Sequence, residues 1–190
     1  MAICKKRTTS EHTEMSIQRA FYKAKWKDFR LVIPNFFAHG NFGFESDLMC
    51  VRKSGYAVEI EVKISASDFR NDAKKCVNDT SVEPVRLEKQ VSWGVVNTFE
   101  YPTISKYELL RTGRLVSNYF YYLMPRDLGE KLLPEMPDFA GLMVIEGWGG
   151  ITELKKAELL HKAKMTDKLL AGMAGNLSHR YWDELLRPRS

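Results

Sequence analysis

The sequence predicts an α/β domain with a mixed central sheet, helices on its flanks and a helical extension at its C-terminal end. Three observations carry this. From Ala57 to Ile64 apolar and polar residues alternate, the period of two that marks a strand. Tyr119 to Leu123 and Ala140 to Ile145 are nearly continuous in apolar character, as interior strands covered on both faces must be. Two stretches, from Glu11 to about Phe29 and from Thr166 to Leu186, place apolar residues at helical spacing.

Taken in order, residues 1–9 read as a flexible basic segment. Thr8-Thr9-Ser10-Glu11 suits a capping box that opens the first helix. Ile17, Ala20, Phe21 and Ala24 form its apolar stripe, with Glu14 at the stripe's edge. Leu31–Ile33 reads as a short strand limited by Pro34. The Phe- and Gly-rich stretch 35–44, with His39, reads as a loop whose phenylalanines fill the core. Lys53-Ser54-Gly55 then suits a three-residue hairpin turn, with glycine where φ must be positive. Ser65 and Asp68 open a crossover helix, with Phe69, Ala73 and Cys76 or Val77 facing the core. Val85–Val96 fits either a short helix or a strand at 92–96. Ile104–Leu110 reads as a helix ending near Gly113. A strand follows at Asn118–Met124, a helix at Asp127–Leu133 and a strand at Ala140–Ile145. Gly147-Trp148-Gly149-Gly150 reads as a turn and Ile151–Leu154 as an edge strand. Two final helices are expected, Lys155–Ala163 and Thr166–Leu186. Domain organisation follows: a domain over 10–155, and an extension over 156–190 that packs on the domain or on a second copy.

The totals narrow the class. The chain has 190 residues, 44% hydrophobic and 28% charged, an ordinary globular mix. No apolar run approaches the ~20 residues of a membrane helix. Three cysteines without a CxxC pair argue for a reducing, cytoplasmic compartment and against a disulfide framework or zinc site. Lys plus Arg number 29 against 24 Asp plus Glu, a net charge of +5, compatible with a polyanionic partner. The cations cluster: Lys23 and Lys27 lie in the first helix, and Arg70, Lys74 and Lys75 follow the hairpin. These are the candidate DNA-contacting residues, against the plainer reading of solvated faces.

The hairpin carries the chemistry. Pairing Arg52 with Tyr56 sets Cys50 opposite Val58 and Leu48 opposite Ile60, an apolar face. The other face then sets Asp47 opposite Glu61 and Met49 opposite Glu59, with Lys63 two residues on. A one-residue slip would put Asp47 among the valines. Like charges directly opposite in a sheet destabilise it, so such a pair either raises a pKa or holds a cation. All-oxygen ligation suits Mg2+ (or Mn2+), and a lysine beside it suits metal-assisted phosphodiester hydrolysis. The alternative is a solvated hairpin face with loosely paired charges.

Asp47, followed by Glu61-Val62-Lys63 on the next strand, resembles the PD-(D/E)XK nuclease signature. Glu14-Met15-Ser16-Ile17-Gln18-Arg19-Ala20 resembles the first-helix glutamate motif of those folds. Ser65–Asp72, Tyr119–Pro125 and Ala140–Val144 are similar to the MmcB-type DNA-repair branch and related phage proteins. Ser46 stands where the family name has proline. The resemblance covers roughly residues 10–155 and implies an insertion at 79–103, near the rim of the site, where the family is shorter. It implies a restriction-endonuclease-like core and a bacterial or phage setting. It also implies Asp47, Glu61 and the Val62 carbonyl as Mg2+ ligands, and Lys63 orienting or deprotonating the attacking water. Glu14 would hold a metal-bound water or a second ion, with Gln18 and Glu59 as neighbours. A nuclease acting on DNA is the first expectation. A silent nuclease-fold adaptor or inhibitor that binds DNA or protein is the alternative, and an RNA nuclease a weaker third.

Overall fold

A computed structural model describes residues 12–37 and 44–187. The proposed capping box at Thr8–Glu11, His39 and Phe42 lie outside the described residues. The expected mixed α/β architecture is found: a six-stranded mixed sheet with helices on both faces.

Helix α1 spans Glu14–Lys25, later than expected, and its capping box is Thr13 with Ser16. It is shorter than the predicted run to Phe29. One 3-10 turn at Trp26–Asp28 hands the chain to strand β1, Phe29–Phe37. The strand runs through Pro34, beyond the Leu31–Ile33 expected, because β1 is a sheet edge where a missing donor is tolerated. Phe36 is buried while Phe37 faces solvent.

Strand β2, Glu45–Arg52, and strand β3, Ala57–Val62, form the hairpin in the expected register, with Leu48 opposite Ile60 and Cys50 opposite Val58. Arg52 N–H donates to Tyr56 O at 2.8 Å, and Gly55 turns with φ +89°. All six residues of β3 are buried. The solvated-face alternative is thereby overturned: Glu59, Glu61 and Lys63 are each 3% exposed or less. The reason lies outside the hairpin, in the helices that cover that face.

Helix α2, Ala66–Asp72, is capped by Ser65 as predicted, and Phe69 is buried, but Ala73 and Cys76 are exposed. Strand β4, Cys76–Asn78, pairs with strand β7, Thr103–Ser105. Between them strands β5, Val85–Val91, and β6, Gly94–Glu100, form a projecting hairpin. This replaces the short helix considered for that region, since β-branched residues line both arms. Helix α3, Lys106–Arg111, ends at Gly113 with φ +66° as predicted. Strand β8, Tyr119–Pro125, runs parallel to β3. Helix α4, Arg126–Leu132, leads to strand β9, Gly141–Ile145, parallel to β8. The turn at 147–150 then returns strand β10, Ile151–Lys155, along the far edge. Sheet order is β1-β2-β3-β8-β9-β10.

Residues 156–166 are not the predicted helix. They form an extended strap pinned to strand ends: Glu158 N–H donates to Phe139 O, Leu160 N–H to Asn118 O and Met165 N–H to Gly55 O. The buried Asn118 amide donates to the carbonyls of His161 and Ala163 and accepts from Ala57 N–H. Tertiary hydrogen bonds thus replace the helical ladder there. Helix α5, Asp167–Leu186, stands where a helix over Thr166–Leu186 is expected, with Thr166 as its N-cap. Met173 packs with Ile33, Met49 and Val51, so part of this helix docks on its own domain. Tyr181, Trp182 and Leu185 remain exposed.

One sheet face packs on α1 through Ile17 and Phe21, both fully buried; each such side chain contributes about 1.5–3 kcal/mol. The other face packs on α2, α3 and α4 through Phe69, Leu110 and Leu132. Among the described residues no helix is long and apolar enough to cross a membrane.

Candidate functional site

The charged residues of the hairpin meet where β2 leaves β3. The ladder stops at Leu48–Ile60, one pair short of Asp47 and Glu61. Asp47 instead turns its Oδ2 onto the Val62 amide, which donates to it at 2.6 Å. From α1, Gln18 Nε2 lies 3.1 Å from the Asp47 carbonyl, 3.2 Å from Glu14 Oε1 and 2.7 Å from Asn35 Oδ1. One amide has two hydrogens for these three acceptors, so the contact is shared. Asn35 reaches it from the left-handed region, φ +48°, which asparagine tolerates. Glu14, Gln18 and Asp47 are thus brought together as expected, and Asn35 joins them.

The inner half of the cluster joins the expected Glu59, Glu61 and Lys63 to partners that were not foreseen. Glu61 Oε1 lies 2.5 Å from Lys106 Nζ, and its Oε2 lies 3.2 Å from Lys63 and 3.5 Å from Lys75. Glu59 Oε1 lies 2.7 Å from the same Lys106, and Ser117 donates its hydroxyl to Glu59 Oε2 at 2.5 Å. Asp72, given no role from sequence, is 1% exposed. Its Oδ1 pairs with Lys75 at 2.6 Å and Lys63 at 3.2 Å, and it accepts the Tyr122 hydroxyl at 2.8 Å. Three carboxylates (Glu59, Glu61, Asp72) therefore face three ammonium groups (Lys63, Lys75, Lys106), a balanced set. Ser65 caps α2 by accepting the Asp68 N–H at 3.2 Å, and the Asp68 carboxylate, expected to reach back to Ser65, stands 3.9 Å from Lys63.

Lys106, like Asp72 and Asn35, is a residue that sequence reasoning missed. It sits 45 positions from Glu61 in the chain, so no local pattern links them. The available signal was its place in the first turn of α3, where a cation opposes the helix dipole.

Electrostatics divides the cluster in two. Burial, the Glu61 charge and the Glu14 charge push the Asp47 carboxyl up to about 7, against the lowering effects of the Val62 amide and Lys63. The outer half, Asp47 with Glu14, is thus short of positive charge. The inner half is not. Burial works against the Lys106 and Lys63 ammonium groups, but their carboxylate neighbours outweigh it and hold both above the ordinary lysine value. Asp72 is held below its ordinary value despite burial, by Lys63, Lys106 and Lys75.

The donor chemistry of the outer half fits a hard divalent cation: carboxylate oxygens on Asp47 and Glu14, one of them ionising only near neutrality. Glu61, the other predicted ligand, has both oxygens engaged by lysines. Among the described residues no three His, Cys, Asp or Glu side chains stand grouped to hold a metal ion.

The predicted DNA-contacting residues separate. Arg70 forms a two-pronged pair with Glu135 at 2.8 and 2.7 Å. Lys74 bonds Asn71, and Lys75 points into the cluster instead of outward. Lys27 lies over the Trp26 ring. Lys23 lines a groove of about 600 Å3 with Arg19, Ser16 and Trp148, between α1 and the turn at 147–150. Trp148 is 83% exposed.

Comparison with known proteins bears on the fold. The chain is similar to a solved structure described as "SPO1766 protein of unknown function from Silicibacter pomeroyi", at 15% identity and a TM-score of 0.54. The match covers 92% of this chain and 89% of that one. No family model and no curated protein matches the chain. At this identity the likeness supports the arrangement of helices and sheet, and fold alone does not assign activity.

Proposed function

We propose that this protein is a metal-dependent nuclease acting on DNA, with its site at the open end of the β2–β3 hairpin. The observation that carries the reading is the convergence of Asp47, Glu61, Lys63 and Glu14 around a carboxyl whose ionisation is pushed to about 7. A buried acid in that state favours a nearby cation. Asp47 and Glu14 would hold the ion, with the Val62 carbonyl as a further oxygen donor at the same strand end. A bound Mg2+ supplies Lewis acidity and a template for the phosphate oxygens. Lys63 stays cationic between Glu61 and Asp72. Its part is therefore to offset charge on the phosphate and to orient the attacking water. Arg19 and Lys23, beside the exposed Trp148, suit a polyanion whose bases stack on an aromatic face.

One observation favours a second reading, a nuclease-fold protein that binds DNA or protein without cutting. Both Glu61 oxygens are already paired with lysines, so this acid is less available to a metal than Asp47.

Cleavage of a supercoiled plasmid and of a closed-circular single-stranded DNA separates the two. The incubations contain Mg2+, Mn2+ or EDTA and run beside the Lys63→Ala protein. The nuclease reading expects metal-dependent cutting that falls by orders of magnitude in the variant. DNA binding with intact circles and intact linear DNA under every metal condition would leave the binding protein.

A further inference from the structure

The inner carboxylate pair poses a problem the hairpin cannot solve alone. Glu59 and Glu61 sit on the same face of β3, about 6.6 Å apart along the strand at ~3.3 Å per residue. Their exposures are 3% and 1%, and burying unpaired carboxylates is prohibitive. Both converge on one group: Lys106 Nζ, itself fully buried, at 2.7 Å from Glu59 and 2.5 Å from Glu61. The ammonium also lies 5.2 Å from the Phe120 ring centre and 5.7 Å from that of Phe44, which seals it from water.

We propose that Lys106 is a resident cation: its ammonium fills a seat between Glu59 and Glu61 that would otherwise take a divalent metal ion, so that any exchangeable ion is confined to the Asp47 side. Lys106 acts as a positioning residue, because it holds Glu61 by one oxygen and leaves the other toward Lys63 and Lys75. The arithmetic of charge agrees. Removing Lys106 turns three carboxylates against three ammonium groups into three against two, and the deficit falls at the Glu59–Glu61 pair. The inference rests on reading the cluster as a site for cations, but it concerns a seat separate from Asp47 and Glu14.

The test is a Mn2+ titration, counting bound ions by electron paramagnetic resonance, on the wild type, Lys106→Met and the double variant Lys106→Met/Glu59→Gln. Thermal unfolding with and without Mn2+ accompanies it. Lys106→Met should bind one Mn2+ more per chain than the wild type. Mn2+ should restore to it much of the lost unfolding temperature, and the added Glu59→Gln should abolish both effects. If Lys106→Met is unfolded without metal, refolding on adding Mn2+ supports the proposal, and failure to refold overturns it. A folded Lys106→Met with the wild-type number of ions and no Mn2+-dependent stabilisation also overturns it. The nuclease reading fails separately: wild type that neither binds Mn2+ nor cuts DNA would sink that reading, even if Lys106→Met gains an ion.

Discussion

Replacing Asp47 by Asn tests the electrostatic core of the site without activity. Asparagine keeps an oxygen to accept the Val62 amide, which Asp47 Oδ2 receives at 2.6 Å, but carries no charge. The native Asp47 carboxyl titrates near 7, against 3.8 when unperturbed. Between those values the folded protein holds a proton that the unfolded chain has released. Stability from this group is therefore complete below about pH 4 and is lost as pH rises through 7. The full span is about 4 kcal/mol at ~1.4 kcal/mol per pKa unit, and roughly 2.5 kcal/mol of it falls between about pH 5 and 8. Urea unfolding in EDTA across that range should show the Asp47→Asn protein gaining on the wild type by that order as pH rises. Millimolar Mg2+ at pH 8 should then stabilise the wild type more than the variant, since the ion replaces the missing positive charge. Parallel pH curves for the two proteins would refute the claim that Asp47 is ionised at a cost, and with it the argument for a cation there.

Two further predictions concern the scaffold. Asn118→Ala strips partners from the Ala57 amide and from the carbonyls of His161 and Ala163. Leaving such groups unpaired should lower stability by about 3–5 kcal/mol in urea unfolding, and a loss below about 1 kcal/mol would mean the strap 156–166 does not depend on that amide. Conversely, the β5–β6 hairpin is nearly all exposed and rises from a base closed by β4–β7 and by Asp79 N–H donating to Pro102 O at 2.7 Å. Replacing residues 82–100 by a short Gly-Ser turn should leave the unfolding temperature of the domain within a few degrees of wild type; a collapse would show that the hairpin belongs to the core.

Local patterns determined much of the scaffold. The β2–β3 register follows from a period of two read against one glycine turn, since a slip would bury Asp47 with the valines. The cap at Ser65, the start of α5 near Thr166, the stop at Gly113 and the interior strands β8 and β9 are short-range chemistry, and each stands where the residues place it. The strap 156–166 went wrong because its backbone partners, Asn118, Phe139 and Gly55, are distant in the chain. A helical spacing there cannot register them. The outer half of the site was also legible, because Glu14, Gln18 and Asp47 lie on two short elements, α1 and β2, with clear faces. What tertiary structure alone decided is the state of those acids. Whether a carboxylate on a hairpin is solvated or buried depends on what covers it, and α2, the turn after it and α3 bring Asp72, Lys75 and Lys106 over that face. Their charges act over a few ångströms of space but across 11 to 45 residues of chain from Glu61. Coulomb interaction depends on the first distance and not on the second.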